Sequence, residues 1–239
     1  MKLQKLLSYV RRACDDYDMI AEGDRIAVGV SGGKDSLTLL SALSHMRRFY
    51  PKKFEIEAIT VSLGLPGEDF SDVQRFCDEL DVRYTIVKTD IGEVIFEARK
   101  ETNPCSLCSK MRKGALNTEA KGLGCNKIAY GHSRDDVVHT FFMSLFFESR
   151  MHVFRPVTFL DKMDLYLIRP LIYVPEREVI TFVRHLDVHV LKSPCPAAGY
   201  TKREEMRDFV NEQMKKYKHF DNTIFSAIVR SEIPGWKIE

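Results

Sequence analysis

The sequence predicts an α/β fold in which a parallel sheet of about five strands carries helices on both faces. An apolar, β-branched run at 26–30 passes through a short polar turn into a helical pattern that begins near residue 37. A second strand-like run, 127–131, leads in the same way into a helical pattern over 137–147. Further strand-like runs alternate with helical stretches along the rest of the chain. Such alternation is typical of a parallel, Rossmann-like sheet with helical connections.

Hydrophobic spacing places the individual elements. A leading helix is predicted from apolar residues at helical spacing between Leu3 and Ala13. Strand-like runs lie at 26–30, 54–61, 83–87, 127–131 and 165–169. Helical patterns lie within 3–20, 37–43, 73–80, 91–123, 137–147, 176–186 and, as two helices, 203–231, whereas 150–164 is the least regular stretch. We therefore expect an N-terminal helix over 1–22, an α/β domain over 23–195 and a C-terminal helical extension over 196–239.

The composition is that of a soluble globular protein with a sizeable core. The 239 residues are 44% hydrophobic and 29% charged, and the formal net charge is only +2. So small a charge excludes a uniformly basic surface for nucleic acid, and any basic surface has to be local. Residues 99–127 supply one, because they hold seven Lys or Arg against two Glu.

The chain shows neither a secretory signal nor a membrane-spanning pattern. Charged residues interrupt the N-terminal apolar stretch from Arg11 onward, and no later apolar run reaches the length of a membrane span. We therefore expect a cytoplasmic protein with no membrane partner. In that compartment the six cysteines are expected to be reduced thiols or metal ligands.

The turn at 31–36, Ser-Gly-Gly-Lys-Asp-Ser, has the composition of a phosphate-binding loop. A helix that begins here presents unpaired backbone N–H groups, and Gly32 and Gly33 lack the Cβ atoms that would keep an anion away. Hydroxyl donors, a positive charge and a carboxylate suited to Mg²⁺ complete the loop, and they belong to Ser31, Ser36, Lys34 and Asp35. The spacing is not that of a Walker loop, because the first glycine of the run stands one residue too close.

Two further strand ends are expected to face this loop, because ligands of parallel sheets collect at the carboxyl ends of strands. The second strand ends at Val61 and Ser62, where we expect the adenosine of a nucleotide. The fourth strand ends at Gly131 and His132, and the glycine there lets a nucleotide approach closely.

Arg134, Asp135 and Asp136 open the helix that follows the fourth strand. Asp136, together with Asp35, can hold Mg²⁺, and Arg134 can neutralise phosphate charge. The alternative is that these carboxylates simply cap the start of the helix.

The cysteines point to a metal or cluster. Cys105 and Cys108 form a Cys-x₂-Cys pair one helical turn apart, and Cys195 stands between two prolines. A [4Fe–4S] cluster on these three is the leading interpretation. Zinc with a histidine as fourth ligand (His132, His185 or His189) and a redox thiol pair are the alternatives. The other cysteines, Cys14, Cys77 and Cys125, have apolar neighbours or precede a strand and are expected not to be ligands.

A basic run, Lys110, Arg112 and Lys113, directly follows the Cys-x₂-Cys pair. Next to a chemical centre such a run can grip the phosphates of an RNA substrate. The alternative is an ordinary solvated helix face.

Taken together, these residues resemble the tRNA 2-thiocytidine synthetase family over nearly the whole chain. The similarity covers the loop at 31–36, the pair at 105–108, the turn at 131–136, the Ile-Arg-Pro-Leu segment at 168–171 and the Pro-Cys of 194–195. The chain departs from the family where Ser133 replaces a second His, where 148–150 replace a Gly-rich stretch and where Ala197 and Ala198 replace a further Cys. The second strand also ends without the usual Asp.

The resemblance implies an ATP pyrophosphatase fold, adenine nucleotide alpha hydrolase-like and of the PP-loop type. It implies an enzyme that uses ATP and Mg²⁺ to adenylate a tRNA pyrimidine, cytidine 32 first of all, and replaces oxygen by sulfur at a three-cysteine [4Fe–4S] cluster. Lys34, Asp35, Cys105 and Cys195 are then the catalytic candidates. The expected partners are tRNA, a cysteine desulfurase or free sulfide as sulfur donor, and a second copy of the chain in a homodimer. A 2-thiouridine synthase, a lysidine synthetase-like ligase and a non-catalytic RNA-binding iron–sulfur protein remain as alternatives.

Overall fold

The computed structural model describes residues 1–98, 104–191 and 202–238. Its six strands are β1 (Asp24–Gly29), β2 (Phe54–Ser62), β3 (Arg83–Lys88), β4 (Lys127–Ala129), β5 (Val157–Leu160) and β6 (Leu165–Ile168). Its helices are α1 (Leu3–Asp16), α2 (Lys34–Met46), α3 (Ser71–Glu79), α4 (Ile91–Glu93), which continues as a π-helical segment (Val94–Ala98), α5 (Pro104–Gly122), α6 (Arg134–Glu148), α7 (Glu176–Val183), α8 (Lys202–Lys216) and α9 (Phe220–Arg230).

The strands form a single sheet in the order β3-β2-β1-β4-β6-β5. The first five strands of this order pair in parallel, as the alternation of strands and helices predicts. β5 was not predicted, because it falls in the stretch that the sequence left least regular. It is a four-residue strand at the sheet edge, it pairs antiparallel with β6, and one face leaves Phe159 45% exposed. A short edge strand of this kind carries too weak an alternation to be recognised.

The chain reverses direction across the sheet between β1 and β4. β1 pairs with β2 on one side and with β4 on the other. The turns that follow β1 and β4 therefore lie side by side at the carboxyl edge, which is where open α/β sheets bind their ligands.

Both chain ends pack into the main core. Leu6 and Val10 of α1 are fully buried there, as is Trp236 near the C-terminus. A separate apolar cluster holds the C-terminal helices, where Met206 and Val210 of α8 pack against α6. None of the helices in the described ranges has the length and apolar character needed to cross a membrane.

Candidate functional site

A cleft of about 460 Å³ opens at the carboxyl edge of the sheet. Its walls come from the ends of β1, β2 and β4 and from one face of α5. Residues that the sequence singled out separately line it together: Ser31, Val61, Cys105, Cys108, Arg112, Lys113 and His132. The structure therefore brings the phosphate loop, the cysteine pair and part of the basic run to one cavity.

The loop at 31–36 holds its shape through its own hydroxyl groups. The Ser36 hydroxyl donates to the Gly33 carbonyl at 2.9 Å and accepts from the Ser31 N–H at 3.1 Å. Gly32 adopts φ +74°, and a Cβ there would lie 2.4 Å from the Leu191 side chain. Only glycine fits this position.

α2 begins at Lys34 with its first N–H groups open to a ligand. Its N-cap residue is Gly33, which offers no side-chain acceptor. Those backbone donors and the positive end of the helix dipole are the arrangement that binds phosphate.

Lys34 is held between two carboxylates. Its Nζ lies 2.8 Å from Asp35 Oδ2 and 2.9 Å from Glu176 Oε1. Glu176 is the first residue of α7, and its N–H donates to Asp135 Oδ2 at 2.7 Å. Glu176 was not predicted from the sequence. The signal available was an acidic residue that opens a helix shortly after the end of a strand of the same sheet.

The pKa of Asp35 is raised. The main cause is burial, which Lys34 opposes and which Asp136 and Glu176 reinforce through their negative charge. Asp35 and Asp136 therefore lie near enough to repel each other. A divalent cation between them would relieve this repulsion.

The turn at 131–136 approaches the phosphate loop closely. A Cβ at Gly131 would lie 3.0 Å from the backbone carbonyl of Asp35, so glycine is required for the contact. Ser133 and Asp136 form a capping box at the start of α6, with the Ser133 N–H donating to Asp136 Oδ2 at 2.8 Å. The capping alternative thus describes the present hydrogen bonds of Asp136, whose Oδ1 also accepts from Arg203 at 3.3 Å.

Arg134 is not part of the cleft, contrary to the expectation that it neutralises phosphate charge. Its side chain is buried, and its guanidinium donates to Asp221 and Asn222 of α9. The physical reason is that the first residue of α6 points away from the phosphate loop and toward the C-terminal helices. Arg134 therefore links α6 to α9.

His132 presents a neutral ring to the cleft. The ring packs 4.8 Å from that of Phe154 and 5.9 Å from that of Tyr130, measured between centroids. Burial lowers the pKa of His132 to about 4, and the positive charge of Arg169 acts in the same direction. Its buried Nδ1 has no hydrogen-bond partner among the described residues.

Cys105 and Cys108 lie on the first turns of α5, one turn apart, and both line the cleft. Cys105 is exposed, so its thiol is accessible to a metal or cluster. The third predicted ligand, Cys195, lies outside the described residues. Within the described ranges no three His, Cys, Asp or Glu side chains are grouped as metal ligands.

The other cysteines are buried away from the cleft. Burial raises the pKa of Cys77 to about 12 and that of Cys125 to about 11, and it raises that of Cys14 as well. These thiols stay protonated at neutral pH, as expected for small buried hydrophobes. The zinc candidates His185 and His189 do not line the cleft.

Two predicted sites remain, the basic run on α5 and the end of β2, and in each only some of the residues line the cleft. Arg112 and Lys113 line the cleft, whereas Lys110 of the same helix is exposed outside it. Val61 also lines the cleft, but the Ser62 hydroxyl donates to the Glu68 carboxylate, which folds back over the strand end. Glu68 was not predicted, because a turn separates it from the strand.

Sequence comparisons connect the chain to characterised proteins. A model of the PP-loop domain family matches residues 3–214. The chain is 36% identical over 231 residues to the tRNA-cytidine(32) 2-sulfurtransferase of Geobacter sulfurreducens, covering 95% of this chain and 90% of that protein. It is also 36% identical over 234 residues to the protein of the same name from Dechloromonas aromatica, with coverage of 95% and 81%.

Similar solved structures include the U34-tRNA thiolase NcsA from Methanococcus maripaludis, solved with its [4Fe-4S] cluster. The TM-score is 0.74 at 25% identity, covering 92% of this chain and 76% of that one. The NH3-dependent NAD synthetase of Campylobacter jejuni is similar in fold alone, with a TM-score of 0.52 at 14% identity and coverage of 95% and 93%.

Proposed function

The chain belongs to the PP-loop domain family and, within it, to the tRNA-cytidine(32) 2-sulfurtransferases, and on that premise we propose that it thiolates tRNA at the expense of ATP. The observation that carries the proposal is the shared cleft. Ser31 of the phosphate loop and the pair Cys105 and Cys108 line the same cavity. The phosphate loop, which activates the base, and the cysteine pair, which supplies sulfur, can therefore act on one base while it stays in the cleft.

The first step activates the base. The C2 oxygen of cytidine attacks the α-phosphorus of ATP, the bond to the β-phosphate oxygen breaks, and pyrophosphate leaves. Backbone N–H groups at the start of α2 and Lys34 Nζ are placed to take the charge of the departing pyrophosphate. Asp35 and Asp136 are the proposed Mg²⁺ ligands, and Val61 and Ser62 mark the adenosine end of the site.

The second step exchanges oxygen for sulfur. A hydrosulfide attacks C2 and loses its proton, the bond from C2 to the adenylate oxygen breaks, and AMP leaves. Without adenylation the oxygen would have to depart as hydroxide, which is a poor leaving group at neutral pH. A [4Fe–4S] cluster held by Cys105, Cys108 and Cys195 would supply an open iron position at which hydrosulfide can bind.

The residues fit such a cluster. Cys105 is exposed and Cys108 lies one turn further along α5, so both can turn toward a common centre in the cleft. Closed structural zinc sites use four ligands, and of the three candidate histidines only His132 lines the cleft, where its ring packs against Phe154 and Tyr130. The donor chemistry therefore favours a cluster with one open iron.

The remaining partners follow from the same proposal. Lys110, Arg112 and Lys113 are the proposed tRNA contacts, and the sulfur comes from a cysteine desulfurase or from free sulfide. We also propose a cytoplasmic homodimer. Support for the dimer is an exposed apolar group at the end of α6, where Phe146 is 52% and the nearby Met151 67% exposed.

A tRNA uridine is the second candidate substrate. It is favoured by the structural similarity to a U34-tRNA thiolase. Both pyrimidines carry a C2 oxygen, so the same two steps apply to either.

The first prediction is that two variants separate the adenylation step from the sulfur-transfer step in a reaction assay. Protein reconstituted anaerobically with iron and sulfide is given ATP labelled on the α-phosphate, an unmodified tRNA with cytidine at position 32, and free sulfide as the sulfur donor. The wild type is expected to release AMP and pyrophosphate and to form a thionucleoside. Lys34→Ala is expected to abolish all three products. Cys195→Ala is expected to keep pyrophosphate release, to leave the labelled adenylate on the tRNA, and to lose both AMP release and thiolation.

The control variant in this assay is Cys125→Ala, because Cys125 is buried outside the cleft. It is expected to behave like the wild type. Release of ADP and phosphate in place of AMP and pyrophosphate would contradict the proposed activation step. Full thiolation by Cys195→Ala would contradict the three-cysteine ligand set.

A further inference from the structure

The described lining of the cleft carries positive charge. Among the residues that the structure describes, the lining includes Arg112 and Lys113 but no Asp or Glu. Lys113 is solvent-accessible and makes no hydrogen bond or ion pair with any other described residue. A basic side chain that faces a cleft without a carboxylate partner is available to an anion.

Arg169 adds a buried guanidinium near the part of the cleft that Lys113 lines. It follows β6 directly, is only 7% exposed, and forms no ion pair with a carboxylate in the described part of the chain. Its Nη1 donates to the Arg155 carbonyl and, at 3.2 Å, to Thr158 Oγ1, and its Cζ lies 4.8 Å from the ring centroid of Phe154. Its Nε is buried without a hydrogen-bond partner. A buried arginine normally has a carboxylate or another anion as partner, and Arg169 has none there.

The positive groups near Arg169 repel one another. The pKa of Lys113 is lowered, first by partial removal of water and then by the charges of Arg169 and Arg203. Burial lowers the pKa of Arg169 itself to about 10, which still leaves it cationic at neutral pH. The nearby carboxylate, Asp136, is occupied by its capping box and by Arg203. Among the described residues, the group formed by Lys113, Arg169 and Arg203 therefore has an excess of positive charge.

The position of this group indicates which anion it can bind. The phosphate loop follows β1, and the proposed adenosine site lies at the end of β2 on one side of it. Arg169 lies on the other side, at the end of β6, which is two strands or about 10 Å from β1. An ATP bound on the β2 side would leave the β6 side of the cleft, toward Arg169, to the nucleotide that receives the sulfur.

We propose that Arg169 and Lys113 form a second phosphate site, separate from the loop at 31–36, which holds an RNA backbone phosphate beside the target nucleotide. Arg112 lines the cleft beside Lys113, Arg203 is near enough to act on the charge of Lys113, and the Phe154 ring contacts both His132 and Arg169. The inference rests on the proposed function, because it presumes an RNA substrate. Its consequence is that the RNA is positioned by a phosphate close to the reacting base as well as by the outer basic surface.

The test is a double-mutant cycle on tRNA binding. The dissociation constant is measured at several salt concentrations for the wild type, Lys113→Gln, Arg169→Gln and the double variant. Each single change is expected to weaken binding about tenfold and to reduce the salt slope by about 0.8, the value for one lost phosphate contact. Because both residues hold the same phosphate, the double variant is expected to lose about 30-fold in place of about 100-fold.

Three controls make the outcome specific. Lys121→Gln removes a lysine of the same helix that lies outside the cleft, so it is expected to bind tRNA like the wild type. Lys113→Gln is expected not to lower the melting temperature, since it removes a like-charge repulsion. Arg169→Lys keeps the charge and one donor, and it covers the case in which Arg169→Gln fails to fold.

Each other outcome has a defined meaning. Unchanged tRNA affinity in Lys113→Gln, or in a folded Arg169→Gln, or strict additivity in the double variant, would overturn the phosphate site. Weaker binding of a non-hydrolysable ATP analogue, with tRNA affinity unchanged, would assign the site to ATP and overturn it as an RNA site. Failure of the wild type to bind tRNA at all would instead contradict the proposed function.

Discussion

The ionised carboxylate of Asp35 lowers the stability of the folded protein. Its pKa is raised mainly by burial, even though Lys34 Nζ lies 2.8 Å from Oδ2. A raised pKa means that the folded protein favours the protonated form. The ionised form therefore destabilises the fold, and this loss grows as the pH rises from the unfolded pKa through the folded one. Residues that conflict with stability in this way are typical of functional sites.

The prediction for this residue is that Asp35→Asn separates stability from activity. At pH 7 the variant is expected to melt at or above the wild-type temperature, and any gain is expected to shrink as the pH falls toward 4. Its tRNA-dependent release of AMP is expected to fall by about 100-fold or more, because the proposed Mg²⁺ ligand and its charge are lost. Differential scanning calorimetry across pH and the labelled-ATP assay measure the two effects.

The matched control is Asp161→Asn, which changes an exposed carboxylate in the turn between β5 and β6. It is expected to alter neither quantity. A clear drop in melting temperature of Asp35→Asn with full activity would show that Asp35 is a structural residue.

Site residues could be predicted from the sequence where they belong to a local motif. The loop at 31–36 and the pair Cys105 and Cys108 are contiguous patterns, so they could be recognised without the fold. The contact of Glu176 and the role proposed for Arg169 could not, because Glu176 reaches Lys34 across the sheet edge and Arg169 acts on a charge of α5. Long-range proximity creates both roles, and no local spacing encodes it.

A buried ion pair joins α9 to α6 of the α/β core. Arg134 of α6 and Asp221 of α9 have side chains only 10% and 12% exposed, and Asn222 accepts from the same guanidinium. Burying two charges is costly, but removing one partner is costlier still, because it leaves the other charge buried alone. The pair therefore fixes how α9 sits on α6.

The prediction at this scale concerns Arg134→Met. The substitution leaves Asp221 buried without its partner and is expected to lower the free energy of unfolding by about 3–5 kcal/mol. Urea denaturation followed by circular dichroism measures the change. Replacing both members, Arg134→Met with Asp221→Leu, is expected to recover most of the loss.

Arg207→Met on the exposed face of α8 is the control, with an expected change within about 0.5 kcal/mol. If Arg134→Met proved as stable as the wild type and instead lost ATP-dependent activity, the phosphate role first expected for Arg134 would replace its structural one.

Elements with strong periodicity were predictable, and the weak ones were not. The parallel strands and the long helices carry apolar patterns that only one secondary structure satisfies. β5 covers only four residues and pairs at the edge, and the register that defines it comes from β6. Its existence depends on a neighbour rather than on its own sequence.

The fold brings the phosphate loop and the cysteine pair of α5 together at the carboxyl edge of the sheet. The reversal between β1 and β4 sets the phosphate loop beside the turn at 131–136, and α5 closes the cleft with its cysteines and basic residues. This convergence follows from topology, which the alternation of elements already implied. The position of Cys195 lies outside the described residues, so its place at the cleft remains a prediction from the family resemblance.

The most direct measurement is mass spectrometry of tRNA nucleosides from a strain that lacks the gene. The account predicts that 2-thiocytidine at position 32 disappears in this strain. The wild-type gene is expected to restore it, whereas Lys34→Ala and Cys105→Ala are expected not to. Loss of a 2-thiouridine in its place would move the activity to the other pyrimidine. A full set of thionucleosides in the deletion strain, with 2-thiocytidine unchanged, would contradict the proposal that this protein thiolates tRNA.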